Sequence, residues 1–155
     1  MRHLLAALLL ILSAPAAMAE MTARDGWSVT RTDKPFAQLV DDVKSAAKAN
    51  KMGVVTQAGP TGAAKKRGIT IPGNRVIGLF NNVYAVNILN LSTAAMIEAP
   101  IRMYVTENDD GSATLSYKLP STVFAPYAEN AGPALAELAS ELDTIFAAIS
   151  ADATN

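Results

Sequence analysis

Between residues 101 and 119 the chain reads IRMYVTENDDGSATLSYKL, and this stretch limits the fold more than any other. Ile101, Met103 and Val105 alternate with Arg102, Tyr104 and Thr106. Leu115, Tyr117 and Leu119 alternate in the same way with Thr114, Ser116 and Lys118. A period of two is the mark of a strand with one buried face. Asp110-Gly111 sits at the tip of the intervening ENDDGS turn, where a tight hairpin needs positive φ. The result is an antiparallel pair whose apolar face must be covered by something of matching size.

Two amphipathic segments can provide that cover. Phe36, Leu39, Val40, Val43, Ala46 and Ala47 fall at spacings 0, 3, 4, 7, 10 and 11, one face of a helix. Asp33 is the expected N-cap, with Pro35 where a first turn tolerates it, and Asn50 and Gly53 bracket the end. Pro133 opens the second helix. Its apolar stripe is Leu135, Leu138, Ala139, Leu142, Ile145, Phe146 and Ile149, and the tail ADATN is expected to fray. WSVTRT (27–32) reads as a half-buried strand with Trp27, Val29 and Arg31 on one side, and MGVVTQA (52–58) as a short one. RVIGLF (75–80) is nearly all apolar and reads as a central strand. Asn81 or Asn82 can cap a helix to about Leu91, Ser92 can cap a shorter one to Glu98, and Pro100 forbids continuation. The fold class is therefore α+β: a two-layer sandwich, a mainly antiparallel sheet packed by two long helices.

The first twenty residues, MRHLLAALLLILSAPAAMAE, have the three-part layout of a secretory signal peptide. Arg2 and His3 are the cationic start, Leu4 to Leu12 the apolar run, and Ala17-Met18-Ala19 the cleavage site. A membrane-spanning helix needs roughly 20 apolar residues, far more than this run offers. Residues 1–19 are thus expected to be removed after Ala19, leaving residues 20–155 as one domain with no membrane span, in the periplasm or outside the cell.

Cleavage changes the available chemistry. His3 is the sole histidine and the chain has no cysteine, so the mature chain has neither. Imidazole general bases, thiolate nucleophiles, disulfides, and zinc or haem sites ligated through His or Cys drop out with them. No cofactor is expected. Without Arg2, the 13 basic residues become 12 against 14 acidic ones, with no run of either sign. A nucleic-acid partner would call for a basic stripe, so none is expected.

The stretch GITIPGNR (68–75) has the glycine spacing of a phosphate-binding loop. Asn74 and Arg75 stand where the lysine and the hydroxyl belong, however, and a strand follows where the motif needs a helix. The stretch reads as a turn with solvated Lys65, Lys66 and Arg67. The cations beside it keep an anion-contact reading open.

The run GVVTQAGPTGAAKKRGITIPGNRVIGLFNN, followed by APIRMYVTENDDGSATLSYKLPS, resembles the domain-of-unknown-function 302 (DUF302) family over roughly residues 34–125. The shared features are the strand before a short helix ending in KK-x-G, the R-V strand running into an Asn helix start, and the Pro before a D-G hairpin. The resemblance implies a TBP-like β-α-β(4)-α fold, often dimeric, and no established activity. Gln57-Ala58-Gly59 replaces an acidic or histidine-bearing turn, Asn81-Asn82 replaces Asn-Pro, and Ala99-Pro100 replaces Leu-Pro. No catalytic residue carries over.

Glu98, Glu107 and Asp109 are the loop-proximal acids, and Asp109 and Asp110 also serve as turn residues. Ser116 and Lys118 read as a solvated sheet face rather than a Ser–Lys dyad. Candidate contacts for a small apolar or anionic ligand are Lys66, Arg75, Asn82 and Tyr104. The stretch NNVYAVNILNLSTAAMIEAP is apolar over more than one helical face. It is either buried on most sides or turned partly toward a partner. A homodimer face would use Val83, Tyr84, Val86, Asn87 and Asn90. The expected function is a non-enzymatic binding or interaction module. The alternative is a metal-independent enzyme using carboxylate, Tyr or Lys groups, and a cleft gathering Glu98, Glu107, Tyr104 or Lys118 with strongly shifted pKa values would favour it.

Overall fold

The computed structural model describes residues 21–155; the expected signal peptide lies outside the described residues. In chain order the elements are β1 (Trp27–Pro35), α1 (Phe36–Ala49), β2 (Gly53–Ala58), α2 (Thr61–Lys66), β3 (Asn74–Phe80), α3 (Asn82–Leu91), β4 (Ile101–Glu107), β5 (Ser112–Lys118), α4 (Pro120–Phe124), α5 (Ala128–Ala131) and α6 (Pro133–Thr154). Short 3-10 turns occupy Ala95–Glu98 and Ala125–Tyr127. The five strands form one antiparallel sheet in the order β1-β5-β4-β3-β2. The fold class is α+β, as the two alternating strands and two amphipathic helices require.

Residues directly opposite each other in an antiparallel pair point to the same side. Ile77, Met103 and Tyr117 are aligned across β3, β4 and β5, as are Val105 and Leu115. All are buried with Leu39 and Val43 of α1 and Leu142, Phe146 and Ile149 of α6. Both long helices therefore lie on this one face. The Tyr117 and Phe146 rings meet at 5.6 Å between centroids. Burying a Leu, Ile or Phe side chain contributes about 1.5–3 kcal/mol, so this layer is the main source of stability.

Two local expectations are corrected. Asp33 does not cap α1. β1 runs on to Pro35, which pairs with Ser112 after a register break, and extended Pro35 itself takes the cap position without a side-chain bond. The tail does not fray. α6 continues to Thr154 because Ala153 is buried, and Lys34 Nζ donates to the carbonyls of Ala153 (2.8 Å) and Asn155 (2.7 Å) and to Asp42 (2.8 Å). Residues 120–131, which carry no clear periodicity, form α4, a 3-10 turn and α5, anchored by buried Phe124. Asn81 does cap α3, accepting from the N–H groups of Val83 (2.9 Å) and Tyr84 (3.4 Å), and Ser92 accepts from Ala95 N–H.

Candidate functional site

β1 turns its small hydroxyl side chains toward the helices and its larger apolar ones away. Ser28, Thr30 and Thr32 align with Tyr117, Leu115 and Ala113, whereas Trp27 and Val29 align with Lys118 and Ser116 on the opposite face. Val76 and Tyr104 are paired on that same face. A face carrying Trp27, Val29, Val76 and Tyr104, away from the two long helices, leaves partly exposed apolar surface. On it Val29 and Tyr104 flank Ser116, which is fully buried rather than solvated as expected.

Two cavities open there. The first, about 360 Å³, is lined by Trp27, Val76, Glu98, Arg102, Tyr104, Lys118 and Val123, among others. Lys118 Nζ lies 5.7 Å and the Arg24 guanidinium carbon 5.1 Å from the Trp27 ring centre, both within cation–π range. The Glu98 carboxylate accepts from the Tyr127 hydroxyl at 2.7 Å. That bond, more than burial, raises the Tyr127 phenol above its ordinary pKa. Burial raises Tyr117, with the Ser28 hydroxyl acting against it.

The second cavity, about 380 Å³, lies toward the hairpin and is lined by Arg31, Thr106, Glu107, Asp109 and Asp110 with Ile71 and Pro72. Glu107 accepts from Gly73 N–H at 2.5 Å, and Glu107 N–H donates to the Gly73 carbonyl at 2.9 Å. Arg31 and Asp110 form an ion pair at 2.7 Å. Asn74 and Tyr104 line both cavities and are hydrogen-bonded to each other. The open face is thus one polarised groove. Its Trp27 end is basic and aromatic, its hairpin end is acidic, and the Asn74–Tyr104 pair stands between them.

The four ligand candidates do not converge. Tyr104 lines the groove, but Arg75 is aligned with Val105 on the helix-covered side, where its Nε is buried without a hydrogen-bond partner. Lys66 is exposed on α2, as are Lys65 and Arg67 beside it. Asn82 begins α3, at the far end of β3 from Arg75, roughly 20 Å along the strand. The glycine-spaced loop leads straight into β3, and Gly73 packs so closely on the Phe36 ring that a Cβ there would be 2.6 Å from it. The turn itself lies at 67–68, and residues 69–73 are an irregular connection that docks the strand.

Glu98, Tyr104 and Lys118 do meet around the first cavity, while Glu107 belongs to the second. Trp27, Arg24, Arg102 and Val123 were not singled out from the sequence. Trp27 and Arg102 fall on the outward phase of alternating strands, but only the β1-β5-β4 register puts them side by side. Among the described residues, no three acidic side chains are placed to hold a metal ion. What the groove offers is flat apolar contact, hydrogen bonds and a pair of cations.

α3 buries Ala85 and Ile88 and leaves Val83 67%, Val86 47% and Leu89 46% exposed, with Ile97 beyond it at 79%. Asn87 and Asn90 share the exposed side. Tyr84 turns away from it, its hydroxyl 3.4 Å from Glu141 of α6, and burial followed by that carboxylate raises its pKa.

The sequence model of the family described as "Domain of unknown function DUF302" matches residues 27–150. No curated protein matches the chain. Among solved structures, the crystal structure of an uncharacterized conserved protein DUF302 from Bacillus stearothermophilus matches with a TM-score of 0.73 at 16% identity, covering 83% of this chain and 98% of that one. At that identity the likeness is one of fold.

Proposed function

The chain belongs to the DUF302 family, whose description assigns no activity, and from that premise we propose a secreted, non-enzymatic binding module that acts as a homodimer. The observation that carries this reading is the open sheet face, where Trp27, Val29, Val76 and Tyr104 point away from the long helices and Trp27, Val76 and Tyr104 line a groove. Large apolar side chains turned away from the core mark a surface kept for contact.

The acid, phenol and ammonium groups of the groove are each positioned by a neighbour. Glu98 is engaged by Tyr127, Tyr104 by Asn74, and Lys118 by the Trp27 ring. Each neighbour fixes the position of its group, as a rigid binding surface requires.

The homodimer would use the outer side of α3. Asn82–Leu91 contains no charged residue. In a two-fold contact each residue near the axis meets its own copy, so an uncharged apolar stripe avoids like-charge repulsion. A membrane-surface role would require lysines or arginines on this helix. Secretion rests on the layout of residues 1–19.

Native mass spectrometry of the protein purified from its own secretory compartment tests all three parts. The expected species is a dimer whose subunits begin at Glu20 and which carries additional ligand mass. A bare monomer would remove both the dimer and the ligand, and a subunit retaining residues 1–19 would remove secretion with cleavage.

A further inference from the structure

The geometry points to a small aromatic monoanion, a flat hydrocarbon ring bearing one carboxylate, as the ligand class of the basic end of the groove, which rests on the open face being the binding surface. The volume, about 360 Å³, lies near the lower end for small-ligand sites. Trp27, Val76 and Val123 supply apolar wall, and Tyr104 adds a second aromatic side chain to the lining. Ring ligands stack on such surfaces with offset or edge-to-face contacts.

Charge selects the rest of the molecule. Arg102 is exposed, and among the described residues it has no carboxylate partner. Lys118 lies over the Trp27 ring, and its ammonium and the indole line the same cavity. Arg24 is on the same indole, and Glu98 is the one acid lining this cavity. A carboxylate placed between Arg102 and Lys118 would receive charge-assisted hydrogen bonds from both.

The other end limits the charge and the length. Glu107, Asp109 and Asp110 line the adjoining cavity against Arg31 alone. A chain of negative charges extending along the groove would meet them, so polyanions are disfavoured and one anionic group at the Trp27 end is preferred.

The mature chain can be titrated calorimetrically with 2-naphthoate, 2-naphthalenemethanol and 2-naphthylmethylammonium, which share one ring system and differ in charge. Trp27 is the sole tryptophan, so its single indole N–H resonance reports occupancy of this site. Naphthoate is expected to shift that resonance and to bind at least about tenfold more tightly than the alcohol, with the ammonium weakest. Arg102→Gln together with Lys118→Gln should lower naphthoate affinity to that of the alcohol and leave the alcohol unchanged. Equal binding of acid and alcohol, or a preference for the ammonium, would overturn the ligand class while leaving a binding surface in place. No shift of the indole resonance with any of the three would overturn the surface as well.

Discussion

At Gly78 a Cβ would stand 2.1 Å from the Thr56 hydroxyl oxygen and 2.9 Å from Pro100 Cγ. Thr56 belongs to the neighbouring strand and Pro100 to the loop before β4. The threonine can rotate, but the proline ring cannot, so Gly78→Ala forces the loop off β3. Overpacking of this kind costs about 1–3 kcal/mol. Thermal unfolding should show a correspondingly lower midpoint, and an unchanged midpoint would mean that the loop does not close on the strand. In the sequence Gly78 is one small residue in RVIGLF, and the pattern identifies the strand without showing what crosses it. Arg75 has the same limitation. Its place beside a glycine-rich loop suggests an anion contact, but a strand residue's face depends on register, and the register turns it to the covered side.

The β4–β5 hairpin is the element that the sequence specifies best, and its turn carries a testable electrostatic signature. Asp110 is held down to about 2 by bonds from the Ser112 hydroxyl and N–H, and then by the Arg31 guanidinium. The ordinary value is 3.8, so the folded state binds this proton less readily than the unfolded chain. The stabilisation is therefore full above pH 3.8 and is lost as the pH falls through about 2. Unfolding midpoints of the native protein and Asp110→Asn should differ at neutral pH and converge over that window. A constant difference down to pH 2 would show that the carboxylate charge contributes nothing. The Asp-Gly turn was legible because two residues determine it. The Arg31 contact was not, because it joins β1 to a turn distant in sequence.

For the whole molecule, the two sides of α3 bear on the proposed dimer. Ala85 and Ile88 attach it to the core, and Val83, Val86 and Leu89 remain outside. Val86→Glu places a charge on the outer stripe without touching the buried one. If α3 is the subunit contact, light scattering should show a monomer while the circular dichroism spectrum stays native. A persistent dimer would move the seam elsewhere. The sequence pattern exposes this helix as apolar on too many sides, but it assigns Tyr84 to the outer stripe, and packing against α6 turns it inward. No helix among the described residues is long and apolar enough to cross a membrane.

The sequence by itself determined the parts that depend on neighbours in the chain: the hairpin, the two long amphipathic helices, a cap at Asn81 or Asn82, and hence a sandwich with one covered sheet face. Period and turn chemistry are local, so they can be read without coordinates. It also determined that a chain cleaved after Ala19 would lack imidazole and thiol chemistry, since that depends only on which residues are present. Tertiary structure alone decided which phase of each strand meets the helices. Shifting the pairing by one residue would exchange the two faces. That choice turned Trp27 and Val29 outward, turned Arg75 to the helix-covered side, and brought Arg102 and Lys118 to one cavity from two strands. The groove is a property of the β1-β5-β4-β3 alignment, and no single segment contains it.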